Sequence, residues 1–196
     1  MDDAAVVTLT VKWLECAVIG LNLCPFAKSV HTKGQIHYVV TAATTHADLL
    51  EVLQYELNGL LAQEPTARDT TLLIAPGAFP DFLDFHDFLP ECDRLLRRMK
   101  LDGTFQIASF HPQFQFAETA PEDITNYTNR APFPILHLLR EDSIDRGVKA
   151  FADPDAIFKK NMQTLQDLGV QGWDALGLQV PTGAGDMPPH GKIAAP

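Results

Sequence analysis

The stretch TLLIAPG, Thr71 to Gly77, decides the fold class. It is short, apolar and closed by Pro76 and Gly77, the pattern of a central strand buried on both faces. Before it lies a helix opened by Thr45-His46-Ala47-Asp48, a capping-box pattern with Asp in place of Glu. That helix turns Leu49, Leu53, Leu57, Leu60 and Leu61 inward and stops before Pro65. Earlier still, IHYVVT alternates Ile36, Tyr38 and Val40 against their neighbours and reads as a first strand. The N-terminal stripe Val7, Val11, Leu14, Val18 and Leu21 predicts a helix that weakens at Gly20 and Asn22.

Downstream, a Phe-rich helical stretch spans Asp81 to Leu89, and Pro90 opens a second piece reaching Met99. FQIASF, Phe105 to Phe110, is the third strand and ILHLLR, Ile135 to Arg140, the fourth. Asp142 suits the cap of a short helix, and Asp153-Pro154 opens a last one striped by Ile157, Phe158, Met162, Leu165 and Leu168. Gly169 ends it. Residues 1–169 are therefore expected to form one α/β layered domain, a mixed and mostly parallel four-stranded sheet flanked by helices. The first three strands are separated by helices and read as parallel through right-handed crossovers; the fourth follows a loop and suits an antiparallel place. Residues 170–196, rich in Gly and Pro and without period, read as a mostly disordered tail in which Trp173 and Leu176 are candidates to dock.

Composition narrows the function classes. In 196 residues, 25 acids against 15 bases give a formal charge of −10. Such a chain lacks the clustered cations that neutralise nucleic-acid phosphates; Arg94, Arg97, Arg98 and Lys100 complement a helix carboxyl end instead. No apolar run approaches a membrane span, and the N-terminus MDDAAVV has no basic leader, so the expectation is a cytoplasmic protein. Cys16, Cys24 and Cys92 carry no CxxC or disulfide-framework spacing.

Ligands of open α/β sheets usually bind beyond the carboxyl ends of parallel strands. There the chain places His111-Pro112-Gln113, and an antiparallel fourth strand would bring Asn126, Asn129 and Arg130 to the same edge. An Arg flanked by amides suits bidentate grip of a carboxylate or phosphate; the alternative is a loop pinned by its own side chains. His111 has the form of a general base or metal ligand, or of a strand cap bonded to backbone. Gln113 is near enough to line the same pocket. His137, on the strand face of Leu139, reads first as a core histidine and second as part of a pocket. Cys24 lies after a helix carboxyl end and beside Leu23 and Phe26, surroundings that disfavour a thiolate and suit a wedge or pocket wall over a nucleophile.

The combination LNLCPFA, FHPQFQF and TNRAPFPILHLLRE, in that order, resembles the domain-of-unknown-function 1415 family of bacterial and plant proteins, over about Val11 to Gly169. By that resemblance Cys24, Pro25, Phe26, His111, Pro112, Asn129, Arg130, Pro132, His137 and Arg140 occupy the family's motif positions. It implies no established reaction. A looser similarity, the order CPF, His-Pro and an Arg-bearing loop, to some haem-dependent N-oxygenases keeps haem, or a metal ion on His111, among the cofactors considered. Two classes of function follow. One is an enzyme acting on a small anionic molecule, with Arg130, Asn126, Asn129 and Gln113 binding it and His111, Cys24 and His137 in the catalytic pocket; on it, His111 and Arg130 line one concavity. The other is a non-catalytic binding or structural module whose polar motif residues hold the loop.

Overall fold

The apolar run forms strand β2, Thr70–Ile74, every residue of it buried. In the computed structural model, which describes residues 1–149 and 155–180, β2 pairs in parallel with β1, Ile36–Val40. Its other neighbour is β4, Ile135–Arg140, which runs antiparallel and separates β2 from β3, Phe105–Phe110. The order β1-β2-β4-β3 makes a mixed four-stranded sheet within a single α/β domain. The first three strands do share one direction. Only one ladder is parallel, however, so the mostly parallel expectation is corrected. The reason is local: β4 follows β3 through a loop, without a helical crossover, and its nearly continuous apolar run suits an interior position.

One face of the sheet is covered by α3, His46–Leu61, and α4, Phe82–Arg98. Thr45 caps α3 as its sequence predicts, accepting from the Asp48 N–H. Leu49, Leu53, Leu57 and Leu60 enter the core, whereas Leu61 is 51% exposed, one residue past the buried stripe. Pro90 does not open a second helix but lies inside a continuous α4. Phe82, Phe85, Phe88, Cys92, Leu95 and Leu96 bury one face on both sides of it, and that shared packing outweighs the lost backbone bond. Arg140 at the end of β4 donates to the carbonyls of Leu60, Gln63 and Arg68, closing the carboxyl end of α3.

The N-terminal segment covers the other face. α1, Asp3–Trp13, runs into a widened π-type turn, Leu14–Ile19. The extra residue of that turn shifts the helical phase. The buried set is therefore Val6, Thr10 and Trp13, then Leu14, Ala17 and Val18, and Val7 and Val11 sit at its margin. A short helix without a sequence signal, α2, Ala27–Thr32, follows. α5, Glu141–Lys149, begins directly after β4, one residue ahead of the predicted Asp142 cap. α6, Asp155–Asp174, bends at Gly169, whose φ of 66° is left-handed, and resumes beyond it. Trp173 and Leu178, assigned above to the tail, are buried, and Phe158 of the predicted stripe is 52% exposed. Asp153-Pro154 and the stretch 181–196 lie outside the described residues.

Glu56 on α3 is 5% exposed and meets Arg68, which also donates to Thr71 of β2. Truncating Arg68 leaves a buried carboxylate without its cation. Arg68→Ala should lower unfolding free energy by about 3–5 kcal/mol in urea titration, and Arg68→Met with Glu56→Leu should recover more than half of that.

Candidate functional site

The polar motif residues converge, and their bonds run to backbone. His111, 1% exposed, is enclosed by Phe82 and Phe85, with ring centroids 5.6 and 5.3 Å away. Its Nδ1 accepts from the Gln113 N–H at 3.0 Å, so Nε2 carries the proton and donates to the Phe79 carbonyl at 2.9 Å. Both ring nitrogens are occupied, and burial moves the imidazole pKa below its ordinary value, opposed by the Phe79 bond. No lone pair remains for a metal, a haem iron or a substrate proton.

Asn126, fully buried, accepts from the Phe116 N–H and the Thr119 hydroxyl and donates to the Ala120 carbonyl. Asn129 donates to Ser109 and its carbonyl accepts from the His111 N–H. Arg130 donates to the carbonyls of Phe114 and Pro121 and lies 4.2 Å over the Tyr127 ring. The Trp13 indole N–H in turn donates to the Arg130 carbonyl at 2.9 Å. The loop does return beside His111, as an antiparallel β4 requires. Arg130, however, borders a surface groove with Trp13, Tyr127 and Trp173, and the buried His111 is not part of that groove's lining. The helical turn in this loop, Ile124–Thr128, is capped by Asp123, whose carboxylate accepts from the Thr125 N–H.

A different set of residues encloses space. Between the sheet and the N-terminal layer lies a cavity of about 310 Å³, walled by Trp13, Leu14, Val18, Cys24, Phe26 and Ala27 on the helical side. Its floor is Leu72, Ala108, Phe110, His137 and Leu139, residues that share one face of three adjacent strands. Ala108 stands directly across from His137 in the β3–β4 register, and its missing side-chain volume leaves the space open.

His137 is the titratable group of this floor, with Thr70 and Gln106 as its polar neighbours in the lining. The Thr70 hydroxyl donates its one proton to the Leu138 carbonyl at 2.6 Å, so at 2.7 Å it accepts from His137 Nε2–H. Nδ1 is then the unprotonated nitrogen and has no protein partner among the described residues. Burial holds the imidazole pKa down at about 4, so it is neutral at pH 7. The Cys24 thiol is pushed above its ordinary pKa by burial, with the backbone N–H groups of Phe26 and Ala27 acting in the opposite sense. The nearest helix terminus is thus the amino end of α2 and not only the carboxyl end read from the sequence, yet burial dominates.

Among the earlier candidates, Cys24 and His137 share this cavity; His111, Arg130, Asn126, Asn129 and Gln113 belong to the loop clasp. Thr70, Ala108 and Trp13 carried no sequence signal, because only the strand register and the π-type turn bring them together. Among the described residues no group of three or more His, Cys, Asp or Glu converges as metal ligands do. No described helix is long and apolar enough to cross a membrane.

A family model described as "Protein of unknown function (DUF1415)" matches residues 5–175, and the chain belongs to that family. No curated protein and no solved structure matches it.

Two outcomes test these assignments. Asn126→Ala removes the buried amide that bonds the Phe116 N–H, the Thr119 hydroxyl and the Ala120 carbonyl and should cost about 1–3 kcal/mol in chemical denaturation. For His137, the unfolded imidazole titrates near 6.5 and the folded one near 4. Between those values the unfolded chain binds the extra proton, so stability falls as pH drops through that window. Melting temperatures measured from pH 7 to pH 4 should fall, and less steeply in His137→Leu.

Proposed function

We propose that this member of a family of unknown function binds a small, largely apolar molecule in the cavity beneath its N-terminal helices. The observation that carries the reading is the Nδ1 of a neutral histidine, without a protein partner among the described residues, on a floor whose other polar side chains are Thr70 and Gln106. The volume is at the lower end of small-molecule sites and twice that of engineered apolar cavities that bind benzene. A ligand body fills the apolar walls while an O–H or N–H of the ligand donates to His137, which fixes its orientation. A neutral imidazole accepts such a bond without the cost of a buried charge. The same neutrality argues against an anion seated on the floor itself.

This is a binding function. His137 can take a proton only weakly at a pKa near 4, and a raised pKa keeps Cys24 a thiol, so neither is tuned for catalysis at neutral pH. The polar loop supports the second class of reading for its own residues: His111, Asn126 and Asn129 bond backbone, and Arg130 directs two of its five N–H donors there. With both His111 nitrogens used, a haem- or metal-dependent oxidoreductase built on His111 is not favoured.

4-Propylphenol tests the reading. By titration calorimetry it should bind with about tenfold higher affinity than propylbenzene, the difference expected of one well-placed hydrogen bond. His137→Leu should remove that difference. Ala108→Leu should fill the cavity and abolish binding of both while the protein keeps its melting temperature. Absence of binding to the unmodified protein, or binding that survives Ala108→Leu, overturns the proposal.

A further inference from the structure

The cavity has a mouth. A vestibule of about 410 Å³ adjoins it across Phe26, Val30, Asp69 and Ser143, which line both spaces. Phe26 stands at their boundary. Its ring lies against Gly147 of α5, where a Cβ would come within 2.7 Å of it, so glycine at 147 is what lets the ring sit there. The inner space is apolar, but the outer one is bordered by Lys33 and Arg146.

The hydrogen bonds at the mouth have a fixed direction. The Asp69 carboxylate only accepts, so Ser143 donates to it at 2.6 Å. The Ser143 oxygen then accepts from an Arg146 N–H at 2.8 Å. The lone acid of the vestibule is thereby engaged, and Arg146 keeps further N–H donors. The Lys33 ammonium makes no protein hydrogen bond or ion pair among the described residues. Two cations against one satisfied carboxylate make this opening net positive on a chain whose formal charge is −10. Such a local reversal of sign attracts the anionic end of a ligand.

Resting on the cavity reading above, we infer that the ligand is an amphipathic carboxylate: its apolar body occupies the cavity, its hydrogen-bond donor meets His137, and its carboxylate lies at Lys33 and Arg146. The anion is held at the solvent-facing mouth, where its desolvation cost is small, and not on the neutral floor. Arg146 and Lys33 supply charge-assisted bonds that a neutral analogue cannot form.

The test compares 3-(4-hydroxyphenyl)propionate with 4-propylphenol, which differ by the carboxylate, on the full chain at pH 7 by titration calorimetry. The carboxylate should bind about five- to tenfold more tightly at low ionic strength, and 0.5 M NaCl should erode that advantage. Lys33→Met with Arg146→Met should abolish the preference and leave the affinity for 4-propylphenol unchanged. If the phenol binds and the carboxylate shows no advantage, or keeps it in the double variant, the vestibule assignment is overturned and the cavity reading stands. If neither compound binds, the cavity reading fails and this inference falls with it.

Discussion

The pairing of β4 between β2 and β3 is the constraint from which the rest follows. An antiparallel strand inserted between two strands of common direction must begin at the edge where β3 ends. The chain therefore needs a loop that leaves β3 at Phe110 and comes back to enter β4 at Ile135. The same insertion sets His137 at mid-sheet, with Leu72 on one side and Ala108 on the other. Two otherwise separate features, the loop clasp and the cavity floor, are consequences of one strand order.

The clasp explains why so much polar chemistry gathers at one sheet edge without forming a reactive site. A long loop crossing the end of a buried sheet strands backbone N–H and carbonyl groups, and each must be paired. Asn126, Asn129, Arg130 and His111 do that pairing, and Trp13 ties the loop to α1. The bonds they make serve the fold itself. The cavity shows the opposite arrangement: its helical wall is apolar, its floor carries an acceptor without a partner among the described residues, and the vestibule beside it is bordered by Lys33 and Arg146.

The two faces of the sheet also differ in how tightly they are filled. The α3 and α4 side interdigitates leucines and phenylalanines, among them Leu53, Leu57, Phe85 and Phe88, all at or near zero exposure. On the other side the π-type turn and the short α2 span the sheet with smaller side chains, and Ala27 and Ala108 both line the gap. Open volume on that side reflects residue size and helix geometry together. A larger residue at 108 would remove it.

Much of the fold was legible in local patterns. Apolar runs and alternation marked all four strands, Thr45 marked the start of α3, and the family motifs LNLCPFA, FHPQFQF and TNRAPFPILHLLRE stood out in the chain. These depend on neighbours within a few residues, so sequence alone determined them. Tertiary structure decided the strand order, the continuity of α4 through Pro90, and the phase shift at the π-type turn. It also decided which conspicuous side chains face a cavity and which face backbone. Cys24 and His137 open on one enclosed space, while His111 closes on Phe79 and Gln113. That division is set by pairing between residues far apart in the chain, Thr70 with His137 and Ala108 with His137, and local composition does not carry information about such register.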